Sequence, residues 1–219
     1  MGGRLIVVSG TGTSIGKTHV AEALLLALGG GGARACGLKP IETGVSDGSQ
    51  TDAARLAAAS SFHVKHVPYA FAPPVSPHLA ARRQGVTLAL DAVVERIDAA
   101  RHEVDVLVVE LAGGLFTPLR DDAFNADLAA ALRPQELLLV APDRLGVLHD
   151  VVATTRAAST TPLRITGLVL VTPERPDDST GTNASELAAL TGIPVVTVVP
   201  RGAPAKLAEL EAIRVLVGR

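Results

Sequence analysis

The chain has 219 residues, enough for one α/β domain with a proper core, and its 20 basic and 22 acidic residues leave a net charge of -2. That balance gives no basic footprint for nucleic acid, and 2% aromatic residues without tryptophan give no stacking platform for bases. The single cysteine, Cys36, excludes an internal disulfide and fits a reducing compartment. Met1 to Arg4 lead straight into an apolar run too short for a signal peptide or a membrane span, so a cytoplasmic protein with no membrane partner is expected.

The first run, Leu5-Ile6-Val7-Val8, reads as a buried strand, and Lys17 to Leu28 reads as a helix. Between them lies Ser9-Gly10-Thr11-Gly12-Thr13-Ser14-Ile15-Gly16-Lys17-Thr18. A strand, a glycine-rich turn and a helix aim consecutive backbone N–H groups and a positive helix end at one point, which suits a phosphate. Gly16-Lys17-Thr18 adds a lysine to reach terminal phosphates and a hydroxyl to hold magnesium. Thr11 stands where the usual spacing has its first glycine, so this is a variant P-loop; the bland alternative is a glycine-rich turn with an incidental lysine.

The helix should stop at Gly29 to Gly32, and Ala33 to Leu38 reads as a second strand that delivers Lys39-Pro40-Ile41-Glu42-Thr43-Gly44. Ligands bind at the carboxyl ends of parallel strands, so Lys39 is expected in the crevice beside the P-loop, against the alternative of a solvated lysine. Thr51-Asp52 looks like a helix start, where Asp52 is locally a first-turn carboxylate and becomes a metal ligand only if the fold brings it near Thr18. Phe62 to Pro77 reads as loop, and a short helix follows over Leu79 to Gln84. His78 has no partner at ligand spacing and is not read as a metal ligand.

Leu88 to Ala100 has helical spacing, and Val104 to Val109 is the nearly continuous apolar run of a strand buried on both faces. Glu110 at its tip is positioned as a magnesium carboxylate beside a P-loop, or else is simply solvated. Gly113 and Gly114 would let backbone approach a ligand closely. The same alternation continues with helices over Leu128 to Leu132, Val147 to Ala158, Ala184 to Leu190 and Lys206 to Val217, and strands over Leu137 to Ala141, Ile165 to Thr172 and Val195 to Val199. The predicted fold is therefore a single α/β domain over 1–219 of the P-loop NTPase type, a mostly parallel sheet with helices on both faces.

Taken together, Gly10-Thr11-x-Thr13-x-x-Gly16-Lys17-Thr18, Lys39-Pro40-x-x-Thr43-Gly44, Ser76-Pro77-His78 and Glu110-x-Ala112-Gly113-Gly114-Leu115-Phe116-Thr117-Pro118-Leu119 resemble dethiobiotin synthetase, in order and over most of the chain. The resemblance implies a cyclo-ligase of biotin biosynthesis. That reaction carboxylates 7,8-diaminopelargonate with CO2, phosphorylates the carbamate with ATP, and closes a cyclic urea through a carbamic-phosphoric anhydride. It also implies the site. Lys17 would bridge the transferring phosphate, Lys39 would hold the carbamate, and Thr13 and Thr43 would donate hydroxyl hydrogen bonds around it. Gly12, Thr13, Ser14, Ile15, Gly16, Lys17 and Thr18 would cradle the nucleotide together with Glu110, and Pro200, Arg201 and Gly202 would lie at its base. Thr18, Asp52 and Glu110 would hold Mg2+. Gly113 and Gly114 would face substrate. Leu145-Gly146-Val147-Leu148-His149 resembles the family segment that reaches the neighbouring subunit's substrate, which implies a homodimer with Leu148 and His149 near the substrate carboxylate.

Two positions depart from the pattern. Ser14 stands where the family often carries an acidic residue, and Val171 stands where an asparagine reads adenine in well-studied relatives, a contact valine cannot make. Relaxed nucleotide preference is expected. The alternative reading is a partition or septum-site ATPase switch, which usually carries an additional lysine early in its loop; Gly10-Thr11-Gly12 has none.

Overall fold

Five of the six main-sheet strands alternate buried side chains between two apolar clusters, which is what a parallel sheet covered on both faces requires. In β1 (Arg4–Gly10), Leu5 and Val7 join one cluster while Ile6 and Val8 join the other. The same period of two runs through β5 (Val106–Glu110), where Leu107 and Val109 oppose Val106 and Val108. The computed structural model describes residues 2–46, 48, 50–66, 68–200, 202–209, 211 and 213.

In chain order the remaining elements are α1 (Lys17–Gly30), β2 (Ala35–Leu38), β3 (Ile41–Thr43), α2 (Asp52–Ala59), β4 (Tyr69–Phe71), α3 (Pro77–Arg83) and α4 (Leu90–Arg101). After β5 come β6 (Pro118–Arg120), β7 (Ala123–Phe124), α5 (Asn125–Leu132), β8 (Glu136–Pro142), α6 (Val147–Ala158), β9 (Gly167–Val171), α7 (Asn183–Thr191), β10 (Val195–Val199) and α8 (Pro204–Ala208). The main sheet has the order β10-β9-β8-β1-β5-β2, and every pairing in it is parallel. Leu56 of α2 and Leu207 of α8 join the cluster built on Val20, Leu24 and Leu25 of α1. Ile97 of α4, Leu128 of α5, Val151 of α6 and Leu187 of α7 join the opposite cluster. Each such fully buried Leu, Ile or Val side chain contributes about 1.5–3 kcal/mol relative to exposure.

The chain leaves β1 for the β5–β2 side and later crosses to β8 on the other side, so β1 stands where the winding reverses. Ligands sit outside the carboxyl ends of strands at such a switch point. The loop after β1, Lys39 after β2, Glu110 at the end of β5 and the turns after β8 and β9 all open there.

Two small sheets were not read in the sequence. β3 pairs with β4 in parallel, and β6 pairs with β7 in antiparallel register. Strands of two or three residues are too short to show a period, and prolines flank them. Helix α1 runs two residues further than Leu28, into the glycine run, before Gly32 turns the chain at a φ of 86°. The predicted end of the last helix, toward Val217, lies outside the described residues, as does Arg201.

Candidate active site

One cleft of about 1020 Å³ lies over the carboxyl ends of the central strands, and the P-loop forms its floor. The loop's shape follows from two left-handed residues, Ser14 at a φ of 56° and Gly16 at 100°. The first is a conformation serine adopts at a cost of about 1–2 kcal/mol, held by its surroundings. A Cβ on Gly16 would stand 2.9 Å from Val171 Cγ1, so the loop needs glycine for its dihedral and for its contact with β9. Helix α1 starts with neither a side-chain cap nor an acidic residue in its first turn. Its positive end is left for an external anion.

Lys17 is buried and donates to the Gly12 carbonyl oxygen at 2.7 Å, which curls its side chain back over the loop. Burial, then the nearby Lys39 charge, pulls its pKa down to about 8, against the pull of Glu110 and Asp52. A triphosphate would supply the compensating charge.

Lys39 is only 5% exposed, which excludes the solvated-lysine alternative. Its Nζ donates to Glu110 Oε1 at 2.5 Å and to Asp52 Oδ2 at 2.9 Å. Burial opposes the charge on Lys39, yet these two carboxylates hold its pKa above the ordinary lysine range. Burial likewise opposes ionisation of Asp52, but Lys39, Thr18 and Arg55 hold its carboxyl below the usual range. Glu110 is completely buried, and that burial pushes its pKa up despite Lys39. Glu110 is therefore not solvated.

Thr18 Oγ1 donates to Glu110 Oε1 at 3.0 Å. Thus Thr18, Asp52 and Glu110, which come from three elements far apart in sequence, meet around the Lys39 ammonium. Glu110 Oε2 is buried without a hydrogen-bond partner among the described residues. A hydroxyl and two carboxylates, one of them with an orphaned oxygen, are hard oxygen donors that fit magnesium.

Thr13, Ser14, Ile15, Thr43 and Gly113 also line the cleft, as does Gly202 at the far end. Gly114 faces the loop's own backbone. A Cβ there would lie 3.2 Å from Gly10 O, while Leu115 N donates to that same oxygen at 2.8 Å. Asn125 Nδ2 donates to Ala112 O and Gly114 O and locks this approach. Gly146 begins α6 in a left-handed conformation with no side-chain cap. Leu148 and His149 follow it but are not on the cleft wall of the single chain, nor is Pro200. Sequence reasoning passed over Glu42 and Arg55, which line the cleft beside Asp52. Arg55 stands three residues beyond Asp52, one helical turn, which is the signal that could have found it.

A family model described as an AAA domain matches residues 4–206. The ATP-dependent dethiobiotin synthetase BioD of Rhodopirellula baltica is 38% identical over 213 residues, covering 89% of this chain and 83% of that protein. The protein of the same name from Anaeromyxobacter dehalogenans is 41% identical over 204 residues, 90% of each chain. The chain belongs to the dethiobiotin synthetase family.

A more distant BioD, from Geobacillus kaustophilus, is 33% identical over 96% of this chain and 91% of its own. Among solved structures, a ParA family ATPase from Chlorobium tepidum aligns over 99% of this chain and 96% of its own with a TM-score of 0.59 at 12% identity. The Pyrococcus furiosus cell division ATPase MinD aligns over 99% and 97% with a TM-score of 0.59 at 22% identity. At these identities the likeness is one of fold, a mostly parallel sheet with helices on both faces.

Proposed function

We propose that this cleft carries out ATP-dependent dethiobiotin synthesis on 7,8-diaminopelargonate and CO2, with the residues acting as follows. An amine takes up CO2 and loses a proton to give a carbamate. A carbamate oxygen then takes the γ-phosphoryl group, ADP leaves, and the second amine attacks the carbonyl carbon to expel phosphate and close the urea. Each stage concentrates negative charge, so the site must supply cations and N–H donors more than proton transfer. The observation that carries this reading is Lys39: a second buried, charged lysine, paired with Glu110, in the same cleft as the P-loop's Lys17.

Lys17 turns from the Gly12 carbonyl to the transferring phosphate, and Thr13 donates a hydroxyl to the carbamate. Lys39 holds the carbamate and its phosphorylated form, with Thr43 beside it. Thr18, Asp52 and Glu110 hold magnesium, which when bound supplies positive charge to the phosphate oxygens. The α6 start at Gly146 to His149 offers N–H groups to a substrate carboxylate, in the cleft of a partner subunit within a homodimer.

At the base end, Val171 packs beneath Gly16 and turns no polar group toward a ligand. Pro142, Thr172, Pro173 and Gly202 continue that wall, and among the described residues none of these carries a side-chain amide. We infer a relaxed preference among nucleotides. One phosphate-release assay tests both readings. Release should fall to background when either the diamine or bicarbonate is omitted, and release indifferent to the diamine overturns the synthetase assignment. With CTP, GTP or UTP in place of ATP the rate should stay within about tenfold. A far larger advantage for ATP contradicts the relaxed preference.

A further inference from the structure

Helix α2 opens the side of the cleft where Asp52 stands, and its first turn is held from outside the helix. Thr51 Oγ1, the ordinary cap, accepts from Ala54 N at 3.1 Å. The two preceding N–H groups go elsewhere. Glu42 Oε1 accepts from Asp52 N at 2.6 Å and Glu42 Oε2 accepts from Ala53 N at 3.2 Å. Glu42 comes from β3, ten residues earlier, and is 8% exposed. The first intrahelical bond, Arg55 N to Thr51 O, follows at 3.0 Å. The donors of the α2 start are thus shared between a cap on the helix and a carboxylate on a strand of the cleft wall.

This division of labour sets a position. Thr51 satisfies the helix without referring it to the site. Glu42 ties the backbone of Asp52 to the short sheet that continues directly from Lys39 and Pro40. The Asp52 carboxylate then has one partner, Lys39, on the same segment as Glu42, and another, Arg55, at 3.8 Å on its own helix. Arg55 is itself clamped by Glu22 of α1, with Nε to Oε1 at 2.9 Å and Nη2 to Oε2 at 2.5 Å.

We propose that Glu42 is a positioning residue for the magnesium site, holding the Asp52 carboxylate in register with Thr18 and Glu110 through its two backbone hydrogen bonds. The inference rests on the assignment of Asp52 as a magnesium ligand. Glu42 touches neither nucleotide nor diamine in this account, and its effect reaches the reaction only through Asp52.

The test is binding of Mn2+, a paramagnetic stand-in for Mg2+, to the full-length protein with a non-hydrolysable ATP analogue, read by electron paramagnetic resonance. Loss of such an outer partner typically weakens metal binding by 10–100-fold, so Glu42→Ala should raise the Mn2+ dissociation constant by about tenfold or more. Thr51→Ala removes a hydrogen bond from the same helix start and should shift that constant by less than about twofold, although it destabilises the helix comparably. Glu42→Gln keeps one acceptor oxygen and should fall between wild type and Glu42→Ala. Glu42→Ala and Thr51→Ala giving the same Mn2+ constant would overturn the positioning role and leave Glu42 a helix cap only. Asp52→Ala separates the two levels of the claim. Wild-type Mn2+ binding in that variant refutes the ligand assignment itself, whereas weakened binding with an inert Glu42→Ala refutes only the positioning.

Discussion

In the proposed reaction Lys39 holds the carbamate, and its surroundings explain why a lysine can remain charged while buried. An ammonium out of water is costly, and two carboxylates within 2.9 Å offset that cost. Truncating it leaves the buried Glu110 carboxylate without its ion-pair partner, a change that typically costs about 3–5 kcal/mol. Catalytically the loss should fall on the carbamate and anhydride rather than on the nucleotide. Lys39→Ala is expected to lower turnover by about 10²–10³ while nucleotide affinity stays within about threefold, as measured by equilibrium binding of an ATP analogue. A loss of nucleotide affinity matching the loss of turnover would move Lys39 to the nucleotide side. The other residues differ in how openly the sequence displays them. Lys17 and Thr18 belong to a local motif. Asp52 and Glu110 become ligand candidates only when the strand ends converge. Glu42 has no local signature, because its role is two hydrogen bonds to a helix start ten residues away.

Among the elements, the inner strands of the main sheet were legible because burial on both faces forces continuous apolar runs, as in Val106 to Val109 and Leu137 to Ala141. Helix α6 and strand β10 have the bounds their patterns predict. The short β3–β4 and β6–β7 pairs were not legible, since Ile41–Thr43 and Pro118–Arg120 hold too few residues for a period and owe their pairing to tertiary contact. The miss at β3 matters for the site, because that strand carries Glu42. The paired glycines after β5 show a different limit. Sequence says that Gly113 and Gly114 allow close backbone approach, but not to what. For Gly114 the neighbour is the P-loop backbone at Gly10 and Thr11, so the segment braces the loop. Val171 is similar: a valine where an amide is expected reads as a loss of base recognition, and its packing against Gly16 adds a support for the phosphate cradle.

For the whole molecule, the strand order places the winding reversal at β1 and gathers Lys17, Lys39, Asp52 and Glu110 from separate elements into one cleft. No helix among the described residues is long and apolar enough to cross a membrane. Leu145 stands 77% exposed at the head of α6, next to the segment proposed to serve a partner subunit. Burying it in an assembly would remove that apolar surface from water. Sedimentation at micromolar protein should therefore give a particle of twice the mass of one chain, and a single-chain particle at all accessible concentrations contradicts the dimer. In the proposed reaction these residues join carbon from CO2 to the diamine at the expense of a nucleotide. It is tested most directly by supplying isotope-labelled bicarbonate with 7,8-diaminopelargonate, ATP and magnesium. Label should appear in an acid-stable cyclic urea, with one ADP formed for each labelled product, and Lys39→Ala should form both about 10²–10³ times more slowly. ADP formation without label in the urea would contradict it.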